Sequence, residues 1–375
     1  MGSCLEEPLA TTPVQQQQRL AAARHRFAEG GELPAQLLAP ALLRSWERSR
    51  QAGIRPQQAP QYAALAQRRL RLDAPLDRLL ARCVRQDMDD LWAAFGGRRW
   101  TLFCVNRDGL IIAQREHGLA DEPVLRPIQI GRRVREIEIG TTAPSCTLAE
   151  AALMQVRGNE HYLDEFAAVY CLSVPLQGVD GEVLGALDIT GIGERDSELL
   201  GGYFRQAALS VQNQLLHTLR DCHLIALQHD ARWLGTPLQG LLAVHEDGQL
   251  RAANSVARRL LGLPRSGVLP PLSLSALFCH ASVHQRRRLL QPGPVHRVPL
   301  RADNALQVQY LRAPVSAHGS TRGVAVAAVE AGSLRAQGAQ AARAAVAAQG
   351  GNLSAAARQL GISRTTLYRK LQQGG

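Results

Sequence analysis

The chain has 375 residues, 46% of them hydrophobic and 20% charged, so it is long enough for two or three globular domains and too apolar to be disordered. Its net charge is +11, and Lys370 is the only lysine among 43 basic residues. A P-loop ATPase needs a lysine at the end of a glycine-rich loop and a protein kinase needs one on a strand, so both classes are excluded. The sequence has neither a signal peptide nor about 18 consecutive apolar residues, and we expect a cytoplasmic protein that does not enter a membrane.

Seven cysteines are dispersed along the chain, and none forms a Cys-x-x-Cys pair or a Cys/His group at zinc-finger spacing. An odd, dispersed set in a cytosolic protein is typical of free thiols. We therefore expect free cysteines and no structural zinc site.

The N-terminal region, residues 1–78, is predicted to be mostly helical. Apolar residues follow helical spacing over 14–29 and 40–52, with glycine and proline between the two runs. A further helix is predicted over 76–94. The region is expected to form a helical lead-in to the domain that follows.

Residues 79–195 combine hairpins with a helix and predict an α+β domain of the size of a small-molecule sensor. The run 100–113 is predicted to form two strands around an Asn-Arg-Asp-Gly turn, and 170–189 a second hairpin around a Gly-Val-Asp-Gly turn. A helix is predicted between the hairpins, over 145–155.

A stretch without proline follows, in which apolar residues lie three or four apart from 196 to 229. This spacing predicts one long amphipathic helix, and we assign 196–230 to a connecting helix. Such a helix can pack on its own domain or dimerise with a second copy, and the sequence leaves both open.

Residues 231–330 predict a second, smaller α+β domain. Its predicted elements are strands over 241–244, 249–253, 295–300, 306–313 and 323–329, and a helix over 254–261. A linker of small residues separates this domain from the C-terminal segment.

The C-terminal segment, residues 331–375, carries six basic residues and no acid, which is the charge expected of a protein that binds a phosphate backbone. Asn352 is a good N-cap for a helix with Leu353 and Ala357 on its inner face. Gly361 suits the end of that helix, and Ser363 suits the start of the next. Two short helices joined by a tight turn predict a helix-turn-helix.

The outward face of the second helix is polar and basic, so its side chains are placed to contact base edges and phosphates in the major groove. The residues predicted to contact DNA are Arg358, Ser363, Arg364, Thr365, Thr366, Tyr368, Arg369 and Lys370.

The run 351–371, GNLSAAARQLGISRTTLYRKL, resembles the Fis-type helix-turn-helix of bacterial sigma-54-dependent regulators. Five further segments resemble acetoin-catabolism-type members of that family. They are LRSWERSRQAGIRP at 43–56, IGTTA at 139–143 with GNEHY at 158–162, VLGALDITG at 183–191, and the run 241–263. The resemblance implies an α+β multidomain protein in which GAF-like and PAS-like antiparallel-sheet sensor domains precede an all-α helix-turn-helix.

The chain departs from this family in one large feature. The family carries an ATPase domain between the PAS-like and helix-turn-helix segments, whereas here a short linker joins the two, in agreement with the missing P-loop lysine. The ability to remodel sigma-54 polymerase is therefore not expected.

The resemblance also implies an effector pocket between the first sheet and its helices. The residues predicted to line it are Trp100, Phe103, Cys104, Thr141, His161, Tyr162, Cys171 and Ser173. His161 and Cys171, ten residues apart, would also suit a nucleophile pair or a metal or haem site. Because no third, orienting group can be named, no catalytic residue, metal or other cofactor is predicted.

The sequence predicts a one-component, sequence-specific transcriptional regulator that is not an enzyme. Its expected partners are double-stranded DNA, a small-molecule effector, RNA polymerase and a second copy of the chain. Two alternatives remain: a thiol enzyme built on the GAF fold, and a nucleoid-type architectural protein that binds DNA without sequence preference.

Overall fold

A computed structural model describes most of the chain. The described residues are 12–62, 74–116, 122–301, 303–315, 343, 346, 349, 352–359, 367 and 371. They form an α+β protein with two five-stranded antiparallel sheets, each carrying its own helices. Within these residues, every helix is too short or too polar to cross a lipid bilayer.

The first sheet has the strand order β2-β1-β5-β4-β3. Its strands are β1 (Trp100–Asn106), β2 (Ile111–Glu116), β3 (Met154–Arg157), β4 (Val169–Gln177) and β5 (Val183–Ile192). The two predicted hairpins are confirmed as the pairs β1–β2 and β4–β5. β5 joins them by pairing with β1, so β1, β5 and β4 form the centre of the sheet.

Helices cover both faces of this sheet. They are α1 (Pro13–Ala28), α2 (Pro40–Gln51), α3 (Pro75–Phe95), α4 (Glu136–Ile139), α5 (Ala143–Glu150) and α6 (Ser197–His217). α3 and α6 share one apolar cluster with the sheet, whereas α1, α2, α4 and α5 share the other. The expected N-terminal helices are confirmed, and they belong to the core of this first domain.

The helix predicted over 145–155 is shorter than expected. α5 ends at Glu150, and Ala151 follows in a left-handed conformation with a φ of 52°. This residue turns the chain into the edge strand β3, which the sequence pattern did not reveal.

The prediction of one long helix over 196–229 is wrong for the second part of this range. α6 ends at His217, and His223–Gln228 forms a strand, β6, at the centre of the second sheet. Cys222 and Ala226 lie four residues apart, a spacing that continues a helical stripe and also fits the two-residue period of a strand. Pairing with strands on both sides decides the conformation.

The second sheet has the strand order β8-β7-β6-β10-β9. Its remaining strands are β7 (Gly240–Val244), β8 (Leu250–Ala253), β9 (His296–Pro299) and β10 (Ala305–Arg312), and its helices are α7 (Ser255–Leu261), α8 (Leu274–Leu277) and α9 (Val283–Arg288). The predicted strands and the helix of this domain are confirmed, except that the strand predicted over 323–329 lies outside the described residues.

Candidate functional site

The central strands of the first sheet place polar side chains on the face covered by α1, α2, α4 and α5. Phe103 of β1 lies opposite Asp188 of β5, and Cys171 of β4 lies opposite Thr190 of β5. Side chains two residues apart on a strand share a face, so these four residues point to the same side of the sheet.

A cavity of about 30 Å³ lies on this face. One water needs roughly 10–15 Å³ of such volume, so the cavity has room for about two groups of that size. Its wall is mainly apolar, and its polar or titratable side chains are Tyr62, Thr142, His161, Cys171 and Thr190.

Three of the residues predicted to line an effector pocket, namely Phe103, His161 and Cys171, line this cavity. The structure places Trp100 and Cys104 on the opposite face of the sheet, in the apolar cluster with α3 and α6. The reason is the alternation of side chains along β1: Cys104 lies one residue and Trp100 three residues from Phe103, and an odd separation puts side chains on opposite faces.

The other three predicted effector residues share the covered face but do not line the cavity. Thr141 Oγ1 lies 2.8 Å from Ser45 Oγ of α2. The ring of Tyr162 packs edge-on against that of Trp46, with 5.9 Å between ring centroids. Ser173 is buried within β4.

A chain of hydrogen bonds forms the polar end of the cavity. His161 Nδ1 lies 2.9 Å from the carbonyl oxygen of Gly158 and donates to it, so Nε2 is the acceptor. This nitrogen lies 3.3 Å from Cys171 Sγ, and Thr190 Oγ1 lies 3.2 Å from the same sulfur. Thr190 Oγ1 also lies 2.6 Å from Asp188 Oδ1.

Burial keeps the ionisable groups in this series of hydrogen bonds, namely His161, Cys171 and Asp188, in their neutral forms. Desolvation lowers the pKa of His161 to about 4 and raises the pKa of the Cys171 thiol well above its usual value. It also raises the pKa of Asp188 to about 8. Near pH 7 the Cys171 thiol therefore donates to a neutral imidazole, which is the opposite of the thiolate that a nucleophilic cysteine needs.

α1 holds the segment 158–164, which carries His161 into the cavity. The Arg24 guanidinium is buried and donates to the carbonyl oxygen of His161 at 2.8 Å. It also donates to Asn159 Oδ1 at 3.2 Å and forms an ion pair with Asp164.

α2 contributes a second set of contacts to the same region. Ser45 Oγ donates to Glu136 Oε1 at 2.5 Å and lies close to Thr141 Oγ1, whose hydroxyl can donate to it. Trp46 Nε1 donates to the carbonyl oxygen of Glu160 at 2.7 Å. Ser45 and Trp46 belong to the run 43–56, so this N-terminal segment contacts the parts of the chain that lie beside the cavity.

Tyr62, Thr142 and Thr190 also line the cavity and were not predicted from the sequence. Thr190 lies two residues after Asp188 in the run 183–191, and its cross-strand partner is Cys171. Alternation along β5 was the signal that could have identified it, but it requires the strand register, which the sequence does not supply.

The described residues of the C-terminal segment agree with the predicted helical pair. Asn352 Oδ1 accepts hydrogen bonds from the backbone amides of Ser354 and Ala355, each 3.1 Å long, and so caps the N-terminus of α10 (Leu353–Gln359). Ala357 and Leu367 are buried together, with Val346, Leu353 and Leu371 packed against them. The Arg358 side chain and the remaining predicted DNA contacts, Ser363, Arg364, Thr365, Thr366, Tyr368, Arg369 and Lys370, lie outside the described residues.

Comparison with known families identifies both ends of the chain. Residues 343–374 match the model of a bacterial regulatory protein of the Fis family, so the chain carries a Fis-type helix-turn-helix segment. Residues 12–212, more than half of the chain, match the model of the MimR N-terminal domain. The chain belongs to the family that this domain defines.

Individual relatives are distant. The propane 2-monooxygenase operon transcriptional activator MimR of Mycolicibacterium goodii is 24% identical over 196 residues, 52% of this chain and 32% of the relative. A signal-transduction and transcriptional-control protein of Clostridium beijerinckii is 23% identical over 199 residues, 52% of this chain and 31% of the relative. The chain thus spans about a third of the length of these curated relatives. The E. coli DhaR(N)–DhaL crystal structure covers 72% of this chain and 98% of its own, with 14% identity and a TM-score of 0.40.

Proposed function

We propose that the protein is a sequence-specific, DNA-binding transcriptional regulator that responds to a small molecule. The observation that carries the proposal is the Fis-type segment at 343–374 on a chain whose residues 12–212 belong to the MimR N-terminal family. The acid-free charge of 331–375 supports the same conclusion, because it suits contact with a phosphate backbone.

The regulator acts in the cytoplasm as a homodimer. One helix-turn-helix contacts few base pairs, whereas two copies engage paired half-sites about one helical turn apart. It works without ATP hydrolysis, since the sequence has no P-loop lysine. It therefore represses transcription or activates RNA polymerase by direct contact.

The effector binds in the cavity of the first domain and is small, uncharged and largely apolar. The small volume excludes a large ligand from this conformation, and the neutral state of the polar end gives no counter-charge for an ion. Thr190 Oγ1 and Cys171 Sγ can each accept a hydrogen bond from one polar group of the ligand, because their own hydrogens are donated to Asp188 and His161. Binding shifts the population between arrangements of the DNA-binding units only if one arrangement binds the effector better.

The protein is not a thiol enzyme in this proposal. The Cys171 thiol is completely buried among groups that keep it protonated, and the neighbouring imidazole is neutral. Neither the thiolate nor the imidazolium of an activated pair is favoured.

Selection from random DNA tests the regulatory proposal. Full-length protein is used to recover duplexes at about 150 mM salt, where nonspecific binding is weak. We expect an enriched motif with two related half-sites. Recovery without an enriched motif would favour the architectural alternative instead.

A panel of small molecules tests the cavity. Hydrocarbons, alcohols and ketones of a few heavy atoms are screened for an increase in melting temperature, which binding to the folded state produces. Thr190→Val keeps the volume of the side chain and removes its hydroxyl. We expect the variant to lose stabilisation by alcohols, which can donate to the Thr190 hydroxyl, and to keep stabilisation by hydrocarbons; equal effects on both would remove Thr190 from the site.

A further inference from the structure

Three potential metal ligands meet where the neighbouring strands β6 and β7 of the second sheet end, outside the cavity. They are the Asp221 carboxylate, the Cys222 thiol and the His245 imidazole. Cys222 Sγ lies 3.7 Å from Asp221 Oδ1 and 3.8 Å from His245 Nδ1, and all three donor atoms lie within 4.8 Å of one another.

The strand register holds two of these ligands in place. β6 and β7 pair antiparallel with His223 opposite Val244, so Cys222 and His245 are the next cross-strand pair beyond the end of the ladder. Cys222 is buried at the margin of an apolar cluster, His245 is half-buried, and Asp221 is exposed. The site therefore has a rigid, apolar side and an open side.

The spacing of the donor atoms fits a tetrahedral ion. With a metal–sulfur distance of about 2.3 Å and metal–nitrogen or metal–oxygen distances of about 2.0–2.1 Å, two ligands of a tetrahedron lie about 3.3–3.6 Å apart. The two distances from Cys222 Sγ exceed this by only a few tenths of an ångström. Small side-chain movements would close the site.

We propose that Asp221, Cys222 and His245 bind a divalent transition metal ion of the Zn²⁺ class. A thiolate, an imidazole and a carboxylate are the donors that Zn²⁺ prefers, and three protein ligands leave a fourth position for water or another ligand. The bound ion would fasten the turn after α6 to the end of β7.

The charge around the site is compatible with this ion. One thiolate and one carboxylate balance the two positive charges of the metal. On binding, the metal displaces the thiol proton of Cys222, which supplies the thiolate.

Cobalt spectroscopy of the full-length protein tests the proposal. After treatment with a chelator, the protein is titrated with Co²⁺, and we expect one equivalent to produce a thiolate-to-cobalt absorption in the near ultraviolet that Zn²⁺ then removes. Cys222→Ser and His245→Ala are expected to lose this absorption. Cys279→Ser changes an exposed cysteine elsewhere and is expected to keep it.

A further variant separates loss of the metal site from loss of folding, which could also remove the cobalt absorption. Asp221 is exposed, so Asp221→Asn should leave the fold intact. It should weaken Zn²⁺ binding at least about tenfold, because losing a residue that only hydrogen-bonds to a metal ligand already lowers metal affinity by about that factor. Zn²⁺ should raise the melting temperature of the wild type more than that of this variant. Absence of the cobalt absorption in the wild type, or its persistence in Cys222→Ser, would overturn the proposal.

Discussion

Asp188 illustrates how burial sets the chemistry of single residues in the cavity region. Its side chain is completely buried in β5, Thr190 donates to one carboxyl oxygen, and the other oxygen has no hydrogen-bond partner among the described residues. Because the charged form is poorly solvated there, the pKa of Asp188 rises from 3.8 to about 8. The folded protein therefore holds a proton that the unfolded chain releases.

Asp188→Asn is expected to change the pH dependence of stability. Between pH 3.8 and about 8 the folded wild type binds this proton and the unfolded chain does not, so the wild type loses stability as pH rises, by at most about 1.4 kcal/mol per pH unit. Asparagine cannot titrate, so the variant lacks this loss. Denaturant unfolding across this range measures the difference in slope, with Asp108→Asn in an exposed turn as the control; parallel wild-type and Asp188→Asn curves would contradict the prediction.

Cys171 is expected to resist thiol reagents in the folded protein. Its side chain is buried and its pKa is raised, whereas Cys279 is exposed. Brief treatment with iodoacetamide followed by peptide mass spectrometry should show Cys279 modified and Cys171 intact until the protein is denatured. Rapid modification of native Cys171 would revive the thiol-enzyme alternative.

At the level of single residues, part of the cavity lining could be predicted from the sequence. Of the residues predicted to line an effector pocket, His161, Cys171 and Phe103 line the cavity, whereas Trp100 and Cys104 lie on the opposite face of the sheet. Alternation along a strand shows that Phe103 and Cys104 cannot line the same cavity, but it does not show which of them faces it. Only the packing of helices on each face decides that.

Among the secondary-structure elements, the N-terminal helices α1 and α2 contribute both to the core and to the polar contacts beside the cavity. α1 and α2 contribute Phe27 and Trp46 to the core beneath the cavity, and Arg24 and Ser45 to its polar contacts. A sequence pattern shows that such helices are amphipathic, but the sheet that receives their apolar faces begins 72 residues after the end of α1 and 49 residues after the end of α2. The helices were therefore predicted, and their role in the core was not.

Arg24→Ala should destabilise the first domain by roughly 2–4 kcal/mol. The change removes a buried guanidinium and leaves the carbonyl oxygen of His161 without its donor, while the partly exposed Asp164 is resolvated at less cost. Arg26→Ala, on the exposed side of the same helix, should change stability by no more than about 0.5 kcal/mol. Equal effects of the two substitutions in denaturant unfolding would refute the assigned role of Arg24.

The boundary between α6 and β6 explains why the connecting helix was predicted too long. The apolar spacing from Phe204 to Ala226 satisfies a helical period throughout, and no glycine or proline lies between His217 and His223. Long-range pairing of β6 with β7 and β10 overrides the local pattern. α6 itself packs on the first sheet beside α3, which is one of the two arrangements left open by the sequence.

At the scale of the whole molecule, two sheet domains precede a helical C-terminal segment. The charge distribution, the N-cap at Asn352 and the apolar spacing of 353–371 predicted that segment without a structure, because all of its signals are local. The cavity depends on strands and helices from distant parts of the chain. This difference explains why the helix-turn-helix segment was predicted from local signals and the lining of the cavity only in part.

The ratio of the protein's affinities for a selected and an unrelated DNA duplex tests the proposed sequence-specific regulation most directly. Full-length protein is titrated at about 150 mM salt with the selected duplex and with an unrelated duplex of equal length. We expect binding to the selected site to be at least about 10³-fold tighter, the lower end for sequence-specific proteins. A ratio near one would contradict sequence-specific regulation and leave a protein that binds DNA only through its phosphates.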